Sequence, residues 1–166
     1  MGLSDSKTID AQTGFESALG IALGAMTRIN IISGPGALAY INMQSLEKLV
    51  IDNELCGAGY RLIDGLDVDE TERIPDLINS VGPGGDFLGQ RHTAKNFRIE
   101  HYIPSDLIDR LPTDSWIGGG SKDVNDRARK KVKSLLKKHT PKPLSKETEN
   151  DLDQAFKEII NQYNLT

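Results

Sequence analysis

The amino-acid sequence predicts a helix-rich α/β chain that is either a helical module or one piece of a larger parallel barrel. Apolar residues recur at helical spacing in five or six separate stretches, whereas only residues 28–32 (RINII) read as a strand. A parallel sheet needs several strands joined by crossover helices, so one strand among so many helices falls short of a complete α/β domain. The 166 residues, 37% hydrophobic and 27% charged, are nevertheless enough for one domain with a core, and a single domain is expected.

Composition narrows the function classes. A formal net charge of -4 argues against a general nucleic-acid binder, which needs excess positive charge to displace counterions from phosphate. The single cysteine, Cys56, excludes an intrachain disulfide framework, and with three scattered histidines it cannot build a structural zinc site; a cytoplasmic, reducing setting fits. No apolar run is long enough to span a bilayer, and MGLSDSKTID lacks the basic and apolar segments of a secretory signal. Met1 and Gly2 match the start of a myristoylation signal, yet nothing membrane-directed follows, so no membrane partner is expected.

Residues 10–27 (DAQTGFESALGIALGAMT) predict the first helix, with Asp10 as N-cap and Phe15, Ala18, Leu19, Ala22, Leu23 and Met26 repeating at helical spacing. These apolar side chains are expected to be largely buried. The strand at residues 28–32 follows, stopped by Ser33-Gly34-Pro35-Gly36. In α/β proteins ligands sit in the loop after such a strand, so Ser33, Gly34, Gly36, Tyr40, Met43 and Gln44 are candidates by position, with Gly34, Gly36 and Tyr40 assigned to cofactor binding. A plain strand-to-helix turn accounts for the same residues.

Residues 44–64 carry Leu46, Leu49, Val50, Leu55, Leu62 and Ile63 at helical intervals, interrupted by Asp52, Asn53 and Glu54. Such a band is either solvated or a way of aiming a carboxylate, that of Glu54, into a pocket. A helix at residues 69–80 is complicated by Pro75, which favours a regular start near Ile74 after an irregular acidic lead.

Residues 81–93 (VGPGGDFLGQRHT) join two helical patterns through four glycines and a proline. At the far end stand Asp86, Gln90, Arg91 and His92, polar and ionisable groups of the kind that loop sites use. Phe87 and Leu88 are the expected anchor of this loop, fixing residues 90–93 at the start of a helix over 93–102, where amide N–H groups and the positive dipole end favour an anionic or polar group. A simple helix stop explains the glycines equally.

Pro104, Pro112 and Gly118-Gly119-Gly120 then cut the chain into short pieces. Residues 122–139 form a helix with the stripe Val124, Ala128, Val132, Leu135 and Leu136; its terminal lysines suit the helix dipole, and no aromatic residues interleave to stack nucleic-acid bases. After the stiff connector TPKPL, Ser145 caps a last amphipathic helix with Leu152, Phe156, Ile159, Ile160 and Tyr163 on one face. No P-loop, paired-cysteine motif, HExxH or GxSxG is present.

SDSKTIDAQTGFESAL, EKLVIDNELCG and VGPGGDFLGQRHT, in this order, resemble the carboxyl-terminal part of the trimethylamine methyltransferase family. The resemblance runs from about Ser4 to the end and implies the helix-rich carboxyl-terminal third of a TIM (β/α)8 barrel, incomplete on its own, with barrel units and site loops over residues 1–120 and terminal helices over 121–166. It implies transfer of a methyl group from trimethylamine, or from a quaternary amine such as glycine betaine, to the cobalt of a corrinoid (cobalamin) carried by a separate corrinoid protein. Some members carry pyrrolysine just upstream of the segment matching SDSK; the sequence holds none, so no amine-activating residue is assigned. On this resemblance Glu54, Gln90 and His92 are the candidate catalytic residues, orienting substrate or contacting the corrinoid, and no metal ligand is expected. A non-catalytic module docking a corrinoid protein or another subunit is the alternative. A partial barrel also leaves uncovered apolar faces, so the chain is expected to be a homo-oligomer or to bind a partner.

Overall fold

A computed structural model of the chain describes residues 2–65 and 74–163. Asp10 accepts a hydrogen bond from the Thr13 backbone N–H at 3.0 Å and so starts α1 (Ala11–Met26). Thr27 closes it, and Arg28 takes a left-handed φ of 55° that turns the chain away. Residues 29–32 form no strand, against the expectation from their β-branched composition. A strand requires a neighbour, and Asn30, Ile31 and Ile32 make no backbone hydrogen bond with another described residue.

The strands observed lie beyond the glycine turn. β1 (Ala37–Leu38) and β2 (Met43–Gln44) pair antiparallel as a minimal hairpin, Ala37 opposite Gln44 and Leu38 opposite Met43. Residues 2–6 run alongside, joined by Gly2 N–H to Ser33 O (3.1 Å), Ser4 N–H to Ala37 O (3.2 Å) and Ala39 N–H to Ser6 O (3.0 Å).

Ser45 caps α2 (Leu46–Asp64) by accepting from the Lys48 N–H at 3.2 Å, and α2 packs against α1. The approach is close: a Cβ on Gly59 would stand 3.2 Å from Ile21 Cγ2 and 3.7 Å from Ala25 Cβ. This explains why the expected burial of α1 is reversed. The buried residues of α1 are Thr13, Ser17, Ile21, Gly24 and Ala25, small or polar apart from Ile21, whereas Phe15, Leu19, Leu23 and Met26 are exposed. Bulky side chains would hold the two backbones apart.

The remaining elements are α3 (Ile74–Val81), α4 (Arg91–Glu100), the short α5 (Thr113–Gly118), α6 (Val124–Lys138) and α7 (Lys146–Tyr163). The described part of α3 runs from Ile74 and includes Pro75; the expected acidic lead lies outside the described residues. In α6 Ala128 and Val132 are buried, while Leu135 and Leu136 are exposed. α7 begins after Ser145, whose Oγ accepts from Thr148 N–H at 3.2 Å. The chain divides into two compact units, Met1–Ser134 and Leu135–Thr166. No helix among the described residues is long and apolar enough to cross a membrane.

Candidate active site

The glycine hairpin is mounted on a buried ion pair. Lys48 and Asp52, one turn apart on α2, are both fully buried and meet at 2.5 Å. The other donors of the Lys48 Nζ go to Gly2 O and Ser17 Oγ, both at 2.9 Å, so the ammonium is completely satisfied. Asp52 Oδ2 also accepts the Gly36 backbone N–H at 2.7 Å, whereas Oδ1 has no hydrogen-bond partner. One pair of charges therefore ties together the N-terminal segment, α1, α2 and the hairpin. Lys48 is a residue that sequence reasoning missed; its spacing of four from Asp52 was the available signal.

Gly34 and Gly36 have left-handed φ values of 98° and 85°. A Cβ on Gly34 would lie 2.2 Å from Leu3 Cδ2, and one on Gly36 would lie 2.3 Å from Gln44 Nε2. Both glycines thus make room for neighbouring parts of the chain itself. Between the strands, Ala39, Tyr40 and Ile41 all adopt left-handed φ, at 49°, 54° and 70°. The turn presents Tyr40 to solvent, and hydrogen bonding to Asp5 pushes its phenol above the ordinary value.

Glu54 does not point into an open pocket. Its Oε1 accepts from Tyr102 OH at 2.6 Å and from Ser105 N–H at 2.9 Å, and its Oε2 accepts from Ser105 Oγ at 2.6 Å. Burial works to raise its pKa, but the hydrogen bonds from Ser105 and Tyr102, helped by the charge of Lys131, leave it below the usual carboxylate value. Burial and the bond to Glu54 push the Tyr102 phenol up to about 12. Glu54 is thus an ionised clamp that pins the segment following α4. Tyr102 and Ser105 were missed because they lie 48 and 51 residues away in the sequence.

The long glycine loop carries the other candidates. Gly82 and Gly84 are left-handed, and a Cβ on Gly85 would stand 2.2 Å from Val81 O, so these glycines are required by the turn. Asp86 is exposed and its Oδ1 accepts the Leu88 N–H at 2.9 Å. The expected anchor is absent: Phe87 and Leu88 are exposed, and the loop is held by its backbone bonds, among them Gly85 N–H to Gly82 O and Gln90 N–H to Phe87 O. Gln90 is the N-cap of α4 without a side-chain capping bond, and His92 lies half-buried in its first turn. α4 starts two residues earlier than the periodicity suggests, which puts His92 on the helix. The hydrogen bonds of the Glu54 carboxylate run to Tyr102 and Ser105.

Beside the Glu54 clamp lies a cleft of about 430 Å³, lined in part by Ser105, Ile108, Arg110, Trp116 and Arg127. Trp116 Nε1 and Arg127 both donate to Lys122 O, at 3.0 and 2.6 Å, which fixes its walls. Among the described residues no three His, Cys, Asp or Glu side chains gather to hold a metal. Burial raises the Cys56 thiol above its ordinary value, which disfavours the nucleophilic thiolate.

The model of the trimethylamine methyltransferase (MTTB) family matches residues 1–161. The chain belongs to this family. It is 37% identical to the glycine betaine methyltransferase of Desulfitobacterium hafniense strain Y51 over 156 residues, covering 93% of this chain and 32% of that protein. It is 30% identical to the trimethylamine methyltransferase MttB of D. hafniense DCB-2, over 99% of this chain and 33% of that protein. The MttB1 of Methanosarcina mazei is 34% identical over 93% of this chain and 32% of its own length. The chain therefore spans about a third of the curated relatives it matches.

Proposed function

We propose that this chain forms one part of a methyltransferase in which a methyl group passes from trimethylamine or a related quaternary amine to the cobalt of a separate corrinoid protein. The observation that carries the reading is the family match across residues 1–161. In a complete protein of this kind the stretch forms the carboxyl-terminal third of a TIM barrel in the cytoplasm. On the family resemblance the cobalt belongs to the corrinoid of the separate partner protein. That cobalt supplies the nucleophile; the protein's task is to hold the amine in line and control its charge.

Within this task the side chains divide. Gln90 and His92, at the positive end of α4, face substrate or corrinoid and orient it. Glu54, committed to Tyr102 and Ser105, is a positioning residue that fixes the cleft wall. Tyr40 is the exposed contact of the hairpin, while Gly34 and Gly36 shape the turn beneath it. The alternative of a non-catalytic docking module is favoured by the exposed apolar row on α1.

The test is methyl transfer from trimethylamine and from glycine betaine to a corrinoid protein, with this chain alone and with it joined to the rest of a family polypeptide. No transfer is expected from the chain alone, because two thirds of the family length is missing from it. Transfer is expected from the joined protein, and its absence there would overturn the methyltransferase reading. In that protein His92→Ala is expected to lower the rate roughly tenfold or more, the order expected for one positioned polar group, with folding intact.

A further inference from the structure

Methyl transfer leaves Arg110, Trp116, Lys122 and Arg127 without a role, yet all four line the cleft of about 430 Å³. That volume is enough for a whole small molecule, since ligand pockets run from about 300 to 1,000 Å³. Its walls are fixed from within the chain. Gly120 and Ser121 take left-handed φ values of 92° and 50°, and just beyond them Lys122 O accepts from both Trp116 Nε1 and Arg127. Arg127 also donates to the O of the buried Leu107 at 2.7 Å, tying α6 to the segment after α4. The lining carries three kinds of group. With its N–H spent on Lys122 O, the half-buried Trp116 offers a ligand the π face of its ring. Arg110 and Lys122 have no ion-pair partner among the described residues, and Arg127 gives its bonds to backbone carbonyls, which do not neutralise its charge. Of the two carboxylates in the cleft, Asp109 accepts the Leu111 N–H at 3.0 Å, while Asp106 accepts no hydrogen bond from a described residue.

We propose that this cleft binds a mononucleotide-like ligand, with a planar ring stacked on Trp116, sugar hydroxyls donating to Asp106, and a phosphate among Arg110, Lys122 and Arg127. Each part of the ligand answers one part of the lining. A carboxylate would set one charge against three cations, whereas a phosphate monoester brings up to about two, with three acceptor oxygens. Phosphate by itself would fill little of the space and would leave the indole face and Asp106 unused. A neutral aromatic would leave the three cations unanswered. The sequence has no P-loop, so the cleft is a recognition site in which no phosphate bond is broken. This inference does not rest on the methyltransferase reading.

The experiment titrates the chain with adenosine 5′-monophosphate, with adenosine and with inorganic phosphate. Trp116 is the single tryptophan, so its fluorescence reports on this cleft alone, and equilibrium dialysis gives a second reading that does not depend on the indole. Saturable quenching by the monophosphate is expected, with adenosine and phosphate each binding roughly tenfold or more weakly, because each keeps only part of the contacts. Arg110→Gln and Lys122→Gln, both at exposed positions, are each expected to weaken the monophosphate roughly tenfold, the order of one charge-assisted hydrogen bond, and to leave adenosine unchanged. Circular dichroism checks that both variants keep their helix content. Absence of saturable binding of the monophosphate, adenosine or phosphate binding as tightly as the monophosphate, or glutamine variants that bind it like wild type would each overturn the proposal.

Discussion

Replacing Lys48 with methionine removes the cation of a pair that is wholly buried and leaves Asp52 as an uncompensated interior carboxylate. Breaking such a pair costs about 3–5 kcal/mol, far beyond the roughly 0–1 kcal/mol of a surface ion pair. Gly2 O and Ser17 Oγ also lose their donor, which acts in the same direction. For a chain of this size the midpoint of thermal unfolding should fall by roughly 10 °C or more. Urea unfolding followed by the fluorescence of the single tryptophan, Trp116, reads the change from a place outside the pair. The partnerless Asp52 Oδ1 means that the carboxylate is itself imperfectly solvated by the protein. Lys48→Met/Asp52→Leu should therefore recover at least half of the loss, although the Gly36 N–H then lacks its acceptor. A single variant within about 1 kcal/mol of wild type, or a double variant no better than the single one, would refute this account of what holds the hairpin.

Glu54 has a folded pKa below its ordinary 4.5, so its bonds contribute stability that is present above that value and lost as pH falls through the folded pKa. Glu54→Gln should accordingly melt below wild type at pH 7 and approach it at the acid end, as seen in melting points taken from pH 7 down to 3; parallel curves for the two proteins would argue that Glu54 is not an ionised clamp. In the long loop, Gly85→Ala puts a Cβ against Val81 O, whereas Gly89→Ala meets nothing within 4 Å and has no left-handed φ. Alanine should cost about 1–3 kcal/mol at 85 and little or nothing at 89, which thermal melts of the two variants would separate.

Helices were legible wherever periodicity and a cap coincided, as at Asp10 and Ser145. The buried side of α1 was not legible. Its apolar residues run all round, and the choice between Phe15 and Ser17 depends on how closely α2 approaches at Gly59. The strand at residues 28–32 failed for a related reason: β propensity describes fitness for a sheet, and no described neighbour supplies one. Among the site residues, Glu54 stood out as a carboxylate that could be aimed into a pocket; its hydrogen-bond partners, Tyr102 and Ser105, are distant in sequence and make it a clamp. The loop at residues 81–93 was legible as a turn from its glycines, while the exposure of Phe87 and Leu88 required the three-dimensional structure.

The Lys48 contacts have a consequence for the time scale on which the chain comes apart. Apart from Asp52 on its own helix, Lys48 reaches Ser17 and Gly2, 31 and 46 residues away, so these bonds form only after both helices and the hairpin have been brought together. Interactions completed after the rate-limiting step slow unfolding without hastening folding. The buried charge pair is therefore a latch: it sets how long residues 2–6 stay seated along the hairpin once the α1 and α2 pair has formed, and it leaves the speed of that first encounter to the small residues around Gly59.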